Sequence, residues 1–183
     1  MADLTGRIIG ALQADVKTFE EIEADPNAMT QAITVIVIAG VAALIGNFFR
    51  SGIAAGILGL VGSLLGYALF SLLVFLIGTK VMPEPTTKAD FSEAFRTIGF
   101  AASPGVFYVL AIIPILGVLI SLVIGLWSLV IAVIAVRAVL DYSNTGRAIV
   151  VCLLAAIACM IVWFVVMVPI MTMMFVARAS TGG

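Results

Sequence analysis

The sequence predicts an all-α fold: a polytopic membrane protein, built as a five-transmembrane-helix bundle with an N-terminal cytosolic amphipathic helix. Three observations carry that prediction. Of the 183 residues, 63% are hydrophobic and 10% are charged, whereas soluble domains carry about 25% charge. The charges are clustered, which leaves charge-free runs at 26–49, 51–79, 97–136 and 148–177. A bilayer crossing needs about 20 apolar residues, so three runs supply one span each and 97–136 supplies two.

Residues 1–29 form a separate head. Leu4, Ile8, Leu12, Val16 and Phe19 recur every three or four residues, the stripe of one helix face. Six acids (Asp3, Asp15, Glu20, Glu21, Glu23, Asp25) stand beside two bases, Arg7 and Lys17. Helices that lie on membranes are Lys/Arg-rich on their polar face, and this one is the reverse. Protein is therefore expected to cover the stripe, either the chain's own membrane domain or a partner docked on these five residues. The acidic stretch precedes the first apolar run, so no cleavable signal peptide is expected.

The membrane domain is expected over 30–178. Span 1 covers about 30–49 and span 2 about 52–79, and only Arg50 and Ser51 separate them, which demands a tight antiparallel hairpin. Pro83 and Pro85 stop span 2, and Asp90 with Glu93 reads as a capping box that starts a helix near Phe91. That helix enters the membrane as span 3, about 96–116. Pro114 and Gly117 in "IIPILG" break the long run, span 4 covers about 118–140, and "DYSNTG" is a turn. Span 5 covers about 148–176, followed by a short tail at 179–183. With the N-terminus inside, the inner side holds Arg7, Lys17, Lys80, Lys88, Arg96, Arg137 and Arg147, and the outer side only Arg50 and Arg178. That bias predicts a cytoplasmic N-terminus and an outside C-terminus.

The stretch "GIAAGILGLVGSLLG" at 52–66 holds five glycines. A phosphate cradle would carry a Lys and Ser/Thr after its glycines, and a flexible linker would leave backbone unpaired in lipid. As a helix, Gly52, Gly56, Gly59, Ser63 and Gly66 share one face, a small-residue groove that admits a neighbouring helix closely. Packing against span 1 or span 5 is the expected use, with homodimerisation the alternative. On this reading Gly59→Leu disrupts packing and Leu60→Ala, off the groove, is milder.

Chemistry-bearing residues are scarce. The chain has no histidine, which removes His-ligated haem, His-containing metal sites and Ser–His or Cys–His pairs. Ser63 has no base partner and reads as groove lining. No Asp or Glu lies at membrane depth, which disfavours proton-coupled transporters and pumps. Met167 and Met171 have the spacing of a thioether pair for Cu(I) but read as apolar filler. No catalytic, metal or cofactor residue is therefore assigned. Cys152 and Cys159 lie too far apart on one helix for a disulfide; Cys152 reads as a small buried thiol, with S-acylation as the alternative. Trp127 and Trp163 read as packing or interface anchors. A net charge of −1 without a basic cluster argues against nucleic acid.

Several segments together resemble the Yip family (Ypt/Rab-interacting-protein type) in its prokaryotic branch. They are "TFEEIEADPNAMTQAI", Ser103–Pro104, "IPILG" at 113–117, Leu126–Trp127 and "GRA" at 146–148. The resemblance covers about 18–175 and implies a five-span membrane protein, here of a prokaryotic inner membrane. Eukaryotic members associate with prenylated Rab-type GTPases, but their "DLYGP"-type motif has no counterpart in this sequence, which counts against GTPase binding. The expected function is a non-enzymatic integral membrane scaffold or accessory subunit of a membrane protein complex. Its partners would be the lipid bilayer and other membrane or cytosolic subunits. A small passive transporter or channel is the alternative, and an enzyme using a partner's cofactor ranks third.

Overall fold

The computed structural model describes residues 3–113 and 116–181, and among these there is no strand. Seven helices follow in order: α1 (Leu4–Leu12), α2 (Val16–Ala24), α3 (Ala28–Gly46), α4 (Phe48–Leu76), α5 (Phe91–Gly99), α6 (Leu116–Val139) and α7 (Thr145–Thr181). A wider π turn over Ile77–Val81 prolongs α4, and α5 continues without a break as a 3₁₀ helix over Phe100–Ile112. Five of these stretches are long and apolar enough to cross a membrane. Phe49, Leu58, Leu65 and Val165 are each two-thirds or more exposed, a surface that only lipid can solvate.

The α5 span is the centre of the bundle: 67% of its apolar window is buried, against 11–33% in the other four. Asp90 starts it with the expected capping box, accepting from Glu93 N–H at 2.8 Å while Glu93 Oε2 accepts from Asp90 N–H at 2.9 Å. Its second half is stretched. Nine α-helical residues rising about 1.5 Å each and thirteen 3₁₀ residues rising about 2.0 Å each reach about 40 Å, enough for a hydrocarbon core of about 30 Å. Pro104, which lacks an N–H, sits in this stretch. Helices α3 and α6 flank the α5 span, and α4 and α7 meet beside them at the head end of the bundle.

Small residues let α3 and the α5 span touch backbone to backbone. Ala32, Ala39 and Gly46 step by seven along α3 and face Gly99, Gly105 and Tyr108. A Cβ added at Gly105 would lie 2.6 Å from that of Ala39, one at Gly99 2.9 Å from that of Ala32, and one at Gly46 would collide with the Tyr108 carbonyl. This is the tight seam of the molecule, in the manner of small-residue packing in membranes.

The anticipated groove on α4 is arranged differently. Gly52 has φ +72° and is the break between the turn at Phe48–Ser51 and the helix proper, so it is a hinge and not a groove position. Gly56 receives Leu44 of α3, whose Cγ would lie 2.6 Å from an added Cβ, whereas Gly59 and Gly66 have nothing within 4 Å. Ser63 is half-buried and donates to the Leu60 carbonyl at 2.8 Å. Leu60 itself fills the space over Gly40 on α3. Thus in this hairpin a leucine from each helix packs over a glycine of the other, and Leu60 is in the contact that the sequence reading placed outside it.

Boundaries also moved. The first two long helices meet at Asn47, three residues before Arg50, and α4 runs on past Thr79 to Val81. Helix α7 runs from Thr145 to Thr181 and so includes the start of the anticipated tail. Residues 1, 2, 182 and 183, the Pro114 breaker, and the side chains of Met167 and Met171 lie outside what is described.

Candidate functional site

The expected single amphipathic helix of the head is two. Helix α1 ends at Leu12, Ala14 turns the chain with φ +58°, and Asp15 restarts it as the N-cap of α2, accepting from Thr18 N–H at 3.3 Å. Asp15 has the extended backbone and the side-chain oxygen that a helix N-cap requires. The break rotates the stripe. Phe19 is fully buried in the chain's own core, Leu4, Ile8 and Leu12 are half-buried, and Val16 is exposed. Ala11 and Ile22 are fully buried beside Phe19 in that core.

Three clamps fix the head on the bundle, and apolar periodicity signals none of them. Arg7, 2% exposed, donates to Glu21 Oε1 at 2.9 Å, Asp25 Oδ2 at 2.8 Å and Gln31 Oε1 at 2.8 Å, joining α1, α2 and α3. Arg96, in the last turn of α5, donates from Nε to the backbone oxygens of Ile22 at 3.2 Å and Glu23 at 2.8 Å. These oxygens stand at the C-terminal end of α2, the negative pole of its dipole, and that of Ile22 also accepts from Asp25 N–H at 3.4 Å. Trp127 Nε1 on α6 donates to the Leu12 carbonyl at 3.0 Å, which closes the end of α1 in the same way.

The 82–90 segment and the α6–α7 turn are tied together beside the head. Glu84 accepts from Ser143 N–H at 3.1 Å and pairs with Arg147 at 3.3 Å. Tyr142 Oη donates to the Met82 carbonyl at 2.7 Å, and Thr87 Oγ1 donates to that of Leu140 at 2.8 Å. The Ser143 backbone bond, then the Arg147 pair, hold the Glu84 carboxyl below its ordinary range.

Between head and bundle lies a polar cavity of about 550 Å³. Glu20 and Glu23 of α2, Glu93 and Arg96 of α5, Arg137 of α6 and Asp141 of the following turn line it. Glu23 is half-buried, and desolvation, with the Asp141 and Glu93 charges adding to it, pushes its carboxyl up to about 7. Arg137 is held away by the Tyr142 carbonyl at 3.3 Å and Thr145 Oγ1 at 3.2 Å. Among the described residues no group of His, Cys, Asp or Glu is placed to hold a metal ion.

The Gly-rich face of α4 is remote from this junction, because α3 and α4 meet at the far end of the bundle. Cys152 is buried in the core and Cys159 is half-buried. The family model of the Yip1 domain matches residues 9–167, from the middle of α1 into α7. No curated protein and no solved structure matches the chain.

Proposed function

The chain belongs to the Yip1 domain family, and on that premise we propose that it is a non-enzymatic membrane scaffold or accessory subunit whose head receives a partner protein. The supporting observation is the clamped head. Arg7, Arg96 and Trp127 fix α1 and α2 on the bundle, yet Ile9 and Val16 stay exposed at 49% and 39% beside Asp15, Glu20 and Glu21. A rigid apolar edge ringed by acids suits a partner with a basic rim around an apolar pocket. Leu4, Ile8 and Leu12 extend that edge; Phe19 supports it from beneath.

Native mass spectrometry of the protein extracted from its own membrane tests the reading. A stoichiometric protein partner is expected with wild type and absent with Ile9→Asp, at a position 49% exposed and outside the junction cavity. An unchanged complement of subunits overturns the docking role. The Lys/Arg bias supports a cytoplasmic head, and the resemblance to the prokaryotic branch supports an inner membrane. Cysteines at Lys88 and at Phe49 should then label from opposite sides. A cavity of about 460 Å³ beside α4 is the observation behind the second reading, a passive transporter or channel, which flux into liposomes by the isolated protein would establish.

A further inference from the structure

A second cavity lies within the membrane-spanning part, from the α3–α4 corner at Asn47 to the middle of the bundle. It has a volume of about 460 Å³, inside the range of about 300–1,000 Å³ typical of ligand sites. Ile36, Ala39, Gly40 and Ala43 of α3 form its back wall, and Ala55, Gly56 and Gly59 of α4 form one side. Gly105 and Tyr108 of the α5 span with Gly125 and Ser128 of α6 form the other. From Ile36 to Asn47 the slot follows α3 for about 16 Å, half the depth of a bilayer core. Helix α4 packs on α3, α5 and α7 but scarcely touches α6, so the slot opens sideways into lipid between them.

Its polarity is graded. Asn47 and Ser51 stand at the surface end, and Asn47 donates its amide N–H to the Ala43 carbonyl at 2.9 Å. Deeper in, the walls are Gly and Ala with the hydroxyls of Tyr67 and Tyr108, for which no hydrogen bond is found among the described residues. Apart from these hydroxyls and those of Ser63 and Ser128 the deep wall is apolar, which does not hold a column of water. A second helix does not fit either: about 16 Å of a helix 10 Å across displaces roughly 1,200 Å³. One hydrocarbon chain of that length, touching its neighbours at about 4 Å, displaces roughly 200–300 Å³.

We propose that the slot holds one acyl chain of a glycerophospholipid, entering between α4 and α6, with its ester end at Asn47 and Ser51 and its chain along Gly59 toward Tyr67.

The test is native mass spectrometry of protein taken from vesicles of phosphatidylethanolamine and phosphatidylglycerol. Wild type is expected to retain one phospholipid. A Cβ at Gly59 has open space around it, so Gly59→Phe projects its ring into the slot and should retain none. Gly66→Phe, equally uncrowded on the same helix but not in the slot wall, should retain it. Gly59→Leu repeats the measurement with a smaller filler should the phenylalanine variant fail to insert. Equal retention in wild type and both Gly59 variants, or none in wild type, overturns the proposal. So does a wild-type dimer that Gly59→Leu disperses, since the occupant would then be a second copy.

Discussion

Arg96 Nε lies 2.8 Å from the backbone oxygen of Glu23, seventy-three residues earlier in the chain. The guanidinium is 5% exposed and its nearest carboxylate, Glu93, stands 3.6 Å away. A buried cation is here directed at the end of a helix more than at an acid, and the first turn of the central span thereby sets the position of the head.

Replacing that fork should free the head without unfolding the bundle. Arg96→Ala leaves the Glu23 carbonyl without its donor and that of Ile22 with only Asp25 N–H, a loss of roughly 1–3 kcal/mol at the junction. Arg96→Lys keeps the charge but cannot present two donors in one plane, so it should rescue only in part. Hydrogen exchange resolved by segment reads this: residues 16–24 should gain exchange while 91–112 stay protected.

Head docking should depend on pH through Glu23. A carboxyl raised from 4.5 to about 7 in the folded state stabilises fully below pH 4.5 and loses that contribution as pH rises through about 7. Asp25 acts oppositely: the Arg7 hydrogen bond lowers it, so its contribution holds above its ordinary 3.8 and fades as pH falls below. The head should therefore loosen as pH rises from about 4.5 through about 7. Emission of Trp127 in a Trp163→Phe background reports it, and Glu23→Gln should abolish the change.

How much of this was legible follows from which interactions leave a periodic trace. Apolar runs and the Asp90–Glu93 cap are local, and they fixed five crossings and the start of the central span. The head's break at Ala14 was hidden because Leu12 and Val16 keep helical spacing across it. Arg7 sits among acids that any surface helix could carry, and only the fold brings Gln31 beside them. The glycine stretch drew attention by density. The seam that needs small residues is instead Ala32, Ala39 and Gly46, diluted among bulkier neighbours, and its partner strip at 99–108 is in another span.

Two glycines separate these roles. Gly46→Ala drives a methyl into the Tyr108 carbonyl and should lower stability by roughly 1–3 kcal/mol, as overpacking does. A Cβ added at Gly59 meets no protein atom within 4 Å, so Gly59→Leu should melt within a few degrees of wild type in detergent. Leu60→Ala empties the space over Gly40 and should melt lower than Gly59→Leu. Thermal unfolding of the three variants side by side decides the order, and a Gly59→Leu loss equal to that of Gly46→Ala would restore the groove on α4.

The Arg7 network should prove unequal in its parts. The guanidinium is buried, but Glu21 is 51% exposed at its side chain and Asp25 only 23%. Water screens the Glu21 pair, so Glu21→Gln should lower head stability by under about 1 kcal/mol. Asp25→Asn removes the more sheltered acceptor of a 2.8 Å bond and also weakens the Asp25 Oδ1 contacts to Asn27 at 2.9 and 3.1 Å. It should lower head stability by roughly 1–3 kcal/mol. Arg7→Ala strands both carboxylates and the Gln31 oxygen against a hole in the core and should exceed either. In Arg7→Met the apolar chain fills that hole, so the acids turn to solvent and part of the stability returns. Segment-resolved hydrogen exchange at 4–12 should rank the variants Glu21→Gln, Asp25→Asn, Arg7→Ala in rising order, with Arg7→Met below Arg7→Ala. Equal effects of Glu21→Gln and Asp25→Asn would mean that burial does not govern this junction, and that charge alone holds α1 in place.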